Sequence, residues 1–592
     1  MKLKSTLVAL ICLLYIGSIC GQSTKNGDIS ISKLKKDLYY LASDELQGRF
    51  PGSDGDKKAA AYIATSLKNS QVELYNKTGF QEFKLVTGVH LGTTNTFGWK
   101  GFVGKISDNF TPFPYSGSAN LNKSVVFAGY GFDINEDGIK WNDYSNVDVK
   151  GKWVLLLRGE PYIDSTKSVY RNYANDRNKV LLAKDKGAAG VIFVSGASFD
   201  KSDELVSLRN NDGSVEIPVV QVKRAVADSL FANPQLKIAE LEKKLIKQHQ
   251  PISFEINTPV QARIEVLQTL VTTQNIIGIL PSTNPTYKNQ YIVIGAHYDH
   301  LGFGGPGSGS RKPDTTAVHN GADDNASGVV SVLSLAKKFS AERKNLKRSI
   351  IFVLFSGEEE GILGSSFFAD HSPVDIKSIK TYINLDMVGR LKPDSALEIS
   401  GTGTSIGAET LLKKLVKGKP LKLSFSPEGY GPSDHAAFYA KNIPVFFLTT
   451  GVHLDYHTPD DDADKINYEG LKEVDNYTYD LAKTIINSAS VLTFQEAGPK
   501  VSVGNRKYKI SLGVMPNFTS TDNNGLKVEL VIKGKPAEKG GVKNGDVIVG
   551  INGKPVTNIQ DYMFRLNQLK AGDIVGVTVL RKGEKIDLIV NL

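Results

Sequence analysis

The chain predicts an α/β protein: a mostly parallel or mixed sheet flanked by helices, interrupted by a β-rich insert and followed by a second β-rich domain. Three observations carry this. From Gln290 to Val491 apolar strand-like runs alternate with helix-like segments, the pattern of a sheet covered on both faces. From about Asn120 to Ile256 the texture changes to short β-rich runs. From about Val501 to Leu592 it is β-rich again, with turns at Asn523-Asn524-Gly525 and Asn552-Gly553. At 592 residues the chain exceeds what one core serves, since domains commonly run ~100–200 residues.

Taken in order, Lys2 and Lys4 precede an apolar run from Leu7 to Ile16 and then Gly17 and Ser18, which reads as a signal peptide over residues 1–21. A transmembrane span needs ~20 apolar residues, and this run is shorter. Ser18-Ile19-Cys20 loosely resembles a lipoprotein signal with Cys20 as the lipid anchor, although Ile19 is bulkier than the usual residue there. Both cysteines, Cys12 and Cys20, lie in this stretch, so the mature chain is expected to hold no disulfide. The expected location is exported: periplasmic, outer-membrane-associated or secreted, with no transmembrane segment.

The principal domain is expected in two parts, residues 28–115 and 263–495, around an insert over residues 116–262, with a last domain over residues 500–592. Its first part reads as helices over Leu34–Leu46 and Lys57–Leu67, separated by Gly48-Arg49-Phe50-Pro51-Gly52. In the insert, strands fall at Ser124–Ala128, Lys152–Leu157 and Gly190–Val194, with a helix over Asn178–Lys186. The α/β part reads as strands Tyr291–Ala296, Ser349–Phe355, Thr381–Leu385 and Ile443–Thr449, and helices Ser327–Phe339, Gly364–Ala369 and Gly407–Val416.

Composition is that of an ordinary globular chain, with 41% hydrophobic and 22% charged residues, which excludes fibrous and disordered classes. The formal charge of +9 is scattered rather than gathered into a basic stripe, so nucleic acid is not an expected partner.

The residues that carry chemistry gather at strand ends. His297 and Asp299 follow Ile292–Ala296; Glu358, Glu359 and Glu360 follow Phe352–Phe355; Asp386 follows Tyr382–Leu385; and His453 and His457 follow Pro444–Leu448. Ligands of open α/β sheets bind beyond the carboxyl ends of strands, so these groups should converge. Asp323 and Asp324 sit before the helix expected near Ser327, where the dipole favours carboxylates. Singly, each suits a loop residue, a helix cap or a solvated face. Together, imidazoles and carboxylates on one edge call for a divalent metal, and zinc accepts both.

His297-Tyr298-Asp299, Gly321-Ala322-Asp323-Asp324-Asn325-Ala326-Ser327-Gly328, Gly357-Glu358-Glu359-Glu360-Gly361, Asn384-Leu385-Asp386-Met387 and Asp455-Tyr456-His457-Thr458-Pro459 together resemble the co-catalytic di-zinc aminopeptidases, relatives of glutamate carboxypeptidase and glutaminyl cyclase. The resemblance covers about half the chain. It implies the zinc exopeptidase fold and two Zn2+ ions, one held by His297 and Asp386, the other by Glu359 and His457, with Asp324 bridging. It further implies Glu358 as general base, Asp299 accepting the remaining N–H of His297, and Asp323 as a helix-start residue. Tyr456 is a candidate oxyanion donor or a packed loop residue.

The implied activity is removal of single residues from peptide ends, as an aminopeptidase. The alternatives are a carboxypeptidase of the same family, a glutaminyl cyclase, which keeps one zinc, or a binding protein on a dead scaffold. Ser433-Asp434-His435 resembles a family motif near the substrate. A serine-hydrolase reading fails for want of a Gly-x-Ser-x-Gly elbow, and Gly307-Ser308-Gly309 reads as linker.

The insert resembles a protease-associated domain through Val126–Gly131, Val147–Lys152 and Ala188–Ile192. The last segment resembles a PDZ domain, with Ser511-Leu512-Gly513-Val514 as the carboxylate-binding loop, which implies a C-terminal peptide as a ligand of its groove.

Overall fold

The computed structural model describes residues 28–136, 138–161, 168–208, 213–393, 395–497, 510–516 and 524–592. The expected signal peptide and Cys20 anchor lie outside them. Among the described residues no helix is long and apolar enough to cross a membrane.

The principal domain is built on a nine-stranded sheet whose central strands, Ser349–Phe355, Tyr291–His297, Ile379–Leu385 and Val445–Thr449, run parallel. Every residue of Ser349–Phe355 is buried, because helices cover both faces and leave no solvated side to alternate against. Helices Ile31–Leu41, Asp54–Asn69, Gly328–Ala341 and Tyr468–Asn487 contribute to the core on one face. Leu363–Asp370 and His435–Ala440 contribute to the core on the other. Parallel registers place His297 level with Phe355 and Leu385 level with Leu448, so four strands end on one edge.

The first helix is shorter than its apolar pattern. It stops at Leu41, where Ala42 leaves helical geometry, and a separate 3-10 segment, Asp44–Arg49, follows. This break seats Arg49, 1% exposed, whose guanidinium donates to the carbonyls of Tyr298 (2.7 Å), Asn320 (2.7 Å) and Gly321 (3.0 Å). One buried cation thus ties together both loops that lead to the candidate ligands.

The insert has its own eight-stranded sheet, which reaches further than the expected 116–262. Thr96–Trp99 and Phe110–Pro112 belong to it, because they pair with Ser253–Ile264 and Val219–Val222, and Phe102–Val103 joins through Thr96–Trp99. Two long antiparallel strands, Phe80–Leu91 and Val266–Leu280, run between insert and principal sheet. The C-terminal domain folds on a separate core that includes Leu512, Val514, Val528, Tyr562 and Val577.

Candidate metal centre

The ligand candidates meet where the four parallel strands end. His297 is the last residue of its strand, Asp386 follows Leu385 directly, and Glu358-Glu359 lie in the turn after Phe355. Asp324 enters from a π-turn, Ala322–Ser327, that precedes the Gly328–Ala341 helix. Its backbone is pinned by Asp461, whose Oδ2 accepts from the N–H groups of Asp323 (2.8 Å) and Asp324 (3.0 Å). Arg390 donates to the other oxygen of Asp461 at 2.8 Å.

The geometry divides the group in two. His297 Nε2 lies 3.2 Å from Asp324 Oδ1 and 3.4 Å from Asp386 Oδ1. His457 Nε2 lies 3.2 Å from Asp324 Oδ2 and 3.1 Å from Glu359 Oε2. The two oxygens of Asp324 therefore face different histidines, each joined by one further carboxylate. His297, Asp324 and Glu359 also offer ligand atoms within 4.8 Å of one another.

The residues fit two divalent cations. Each histidine turns its Nδ1 to a backbone carbonyl: His297 to Asp299 O at 3.2 Å and His457 to Gly309 O at 3.1 Å. With a cation in place, the proton on Nδ1 would leave each Nε2 lone pair free for it. Asp386 Oδ1 and His457 Nε2 are buried without a hydrogen-bond partner, as expected of atoms aimed at an ion rather than at each other.

The electrostatics agree. Burial pushes the His457 imidazole down, but the Asp324 and Glu359 carboxylates outweigh it and hold the ring at about 10. Burial likewise opposes charge on His297, which Asp386 and Glu358 nonetheless hold well above its usual range. Burial disfavours the Asp324 carboxylate, and His297 and His457 pull it well below the usual range. Protons on imidazole thus occupy the place of a cation amid carboxylates that need one.

Asp299 is placed otherwise than expected. Its carboxylate is 3.7 Å from His297 Nδ1, and its backbone carbonyl takes the ring N–H instead. The carboxylate accepts from the backbone N–H of Glu358 (3.1 Å) and Glu359 (3.3 Å), so Asp299 clamps the glutamate turn against the histidine loop. Burial pushes the Glu358 carboxyl well above its usual range against the pull of His297, with Glu359, Asp434 and Asp386 adding to the rise. Glu360 is pushed up to about 7 by burial. Tyr456 stacks on the His457 ring, centroids 3.9 Å apart.

Asp323 lies in the turn that starts the helix, as expected, but its carboxylate does not cap it. Its Oδ1 accepts from Gly389 N at 2.6 Å, and its Oδ2 lies 3.3 Å from His453 Nε2, so both residues brace the loops rather than join the ligands. Sequence reasoning missed His300, fully buried, with Nδ1 2.7 Å from Glu359 Oε1. Its spacing three residues after His297 was the available signal. It also missed what Ser433 does: the hydroxyl donates to Asp386 Oδ2 at 2.8 Å and accepts from Asn384 Nδ2 at 2.7 Å, which leaves no free nucleophile. His435 stacks on Phe447 with both nitrogens unpartnered, and burial holds it down at about 3.

Comparison with known proteins points the same way. Residues 275–482 match peptidase family M28, residues 121–230 the PA domain and residues 510–592 the PDZ domain. Over residues 275–482 the chain is similar to peptidase family M28. Among relatives, aminopeptidase YwaD of Bacillus subtilis is 26% identical over 468 residues, 75% of this chain and 85% of that protein. A probable leucine aminopeptidase 2 of Aspergillus oryzae is 25% identical over 65% of this chain and 66% of its own length. A solved zinc aminopeptidase from Bacillus subtilis aligns with 23% identity and a TM-score of 0.46, covering 79% of this chain and 98% of that one. The candidate ligands His297, Asp324, Glu359, Asp386 and His457 all fall within the residues that match the M28 model.

Proposed function

We propose that the chain is an exported two-zinc aminopeptidase. The observation that carries the metal assignment is the divided carboxylate of Asp324, 3.2 Å from His297 through one oxygen and 3.2 Å from His457 through the other. His297 and Asp386 would hold one ion and Glu359 and His457 the other, with Asp324 between them. Bound zinc supplies Lewis acidity, polarising a carbonyl and lowering the pKa of water from 15.7 to about 7.

The chain's own residues do the rest. Glu358 takes the proton of the attacking water and delivers it to the leaving nitrogen; an enclosed carboxyl with a raised pKa suits a group that must hold a proton between the two events. Asp299 fixes that carboxyl by binding two successive backbone N–H groups. Tyr456, ordered by its stack on His457, flanks the reacting carbonyl as a hydroxyl donor. Aminopeptidase rather than carboxypeptidase specificity is supported by the names of the relatives YwaD and leucine aminopeptidase 2. Export rests on the charged, then apolar, then small-residue N-terminus.

Mass spectrometry of products from paired free-amine and N-blocked peptides tests the reading. Stepwise loss of N-terminal residues from the free-amine set alone supports it. Trimming from the C-terminus overturns the specificity and leaves the metal chemistry standing.

A further inference from the structure

The PDZ domain is docked on the PA domain through the helix Ile559–Asn567, whose faces serve different partners. Tyr562 and Leu566 enter the PDZ core, while Phe564 is buried in a PA core beside Phe113 and Tyr115. Arg565, 2% exposed, grips Asp185 of the PA domain through two bonds of 2.5 and 3.1 Å. Asp561 lies 3.4 Å from Arg177 of the PA domain. A buried aromatic and a two-point guanidinium–carboxylate pair fix orientation as well as contact.

This docking encloses a cleft of about 1730 Å³ between the two domains. Pro306 and Gly307, in the loop between His300 and Asn320, also line it. Two residues further along that loop, Gly309 accepts the Nδ1–H of His457, and Arg311 N donates to His457 O at 2.9 Å. The wall of the cleft and the support of a metal ligand are thus one short loop. Ile510 and Met563 of the PDZ domain also line the cleft, and the PDZ strand Val514–Pro516 is an edge strand that, among the described residues, pairs with Leu526–Val531 alone. An edge strand next to a helix accepts an extended peptide as a further strand.

Charge indicates which end of a peptide would lie there. Five cationic side chains line the cleft against three anionic ones. Arg158 pairs with Asp176, Arg177 with Asp561, and Lys179 donates to the carbonyls of Leu157 and Gly159. Arg171 and Lys570 are exposed and make no ion pair among the described residues. We infer that this cleft is an extended site for the C-terminal part of peptide substrates whose N-terminal residue lies at the metal centre, so that three domains share one substrate. The inference rests on the aminopeptidase reading.

The test compares a dipeptide with a peptide of about twelve residues, roughly 40 Å extended, sharing its N-terminal residue, as free acid and as amide. The zinc-loaded full chain is assayed beside the double variant Arg171→Glu, Lys570→Glu, whose exposed positions leave the fold intact. Expected is a KM for the long free acid raised about tenfold, a smaller rise for the amide, and an unchanged kcat/KM for the dipeptide. Equal behaviour of long and short peptides in both proteins overturns the inference and leaves the aminopeptidase reading standing. Failure of wild type to cleave any peptide removes the reading beneath it.

Discussion

Replacing Ser433 with alanine tests whether the metal centre depends on the bonds that orient its carboxylates. Ser433 is 1% exposed and links Asp386 Oδ2 at 2.8 Å to Asn384 Nδ2 at 2.7 Å; Asn384 is held in turn by the Tyr382 hydroxyl at 2.7 Å. Asp386 Oδ1 faces His297 Nε2 at 3.4 Å, so Oδ2 is the oxygen by which the carboxylate is aimed. Ser433→Ala removes a buried hydrogen bond to a charged group, about 1.5–3 kcal/mol, and leaves Asn384 Nδ2 without its acceptor. As metal affinity, that loss is about 10- to 100-fold, the range expected when a residue supporting a ligand is lost. Zinc affinity measured by competition with a chelator should fall by that factor at the His297 site, and kcat should return toward wild type when zinc is in excess. Wild-type zinc affinity in Ser433→Ala would refute the reasoning, because Asp386 would then need no such support or bind no metal.

Two further outcomes are expected. His300→Ala removes the group 2.7 Å from Glu359, so bound zinc should drop toward one ion per chain at chelator concentrations where wild type keeps two; unchanged stoichiometry by elemental analysis refutes it. Asp475, on the Tyr468–Asn487 helix, is buried, and burial pushes it up to about 7, against the pull of Ser331 and Lys338. A carboxyl raised from an unfolded value of about 3.9 favours the fold fully below that pH and loses the contribution as pH rises to 7. At pH 8 it therefore costs on the order of 4 kcal/mol. Asp475→Asn should flatten the fall in stability between pH 4 and 7, read from denaturation midpoints; parallel curves for the two proteins contradict it.

Much of this was legible in the chain because the informative residues are local to strong patterns. Ser349–Phe355 reads directly as a strand, since a parallel strand buried on both faces is a continuous apolar run, and its observed ends agree. The convergence of His297, Glu359, Asp386 and His457 follows from their places at the ends of parallel strands. What was not legible depends on partners distant in sequence. The first helix stops at Leu41 because Arg49 must reach carbonyls some 250 to 270 residues away. The PA sheet recruits Thr96–Trp99 through pairing with Ser253–Ile264, which no local pattern announces. Asp299 and His297 stand two residues apart, which suggests a side-chain bond, yet the fold satisfies the ring with a backbone carbonyl and uses the carboxylate on the glutamate turn. Asp323 reads as a helix-start residue and does lie in the turn that opens the Gly328–Ala341 helix, but its bond to Gly389 N, 66 residues on, has no local signal.

The central claim is that two ions sit across Asp324 while Glu358 moves the proton. Glu358→Gln, analysed for bound zinc and for turnover of a free-amine peptide in the same preparation, tests both halves. The account predicts two zinc ions retained per chain and kcat reduced about 10²- to 10⁴-fold. Near-normal turnover with both ions in place would contradict it.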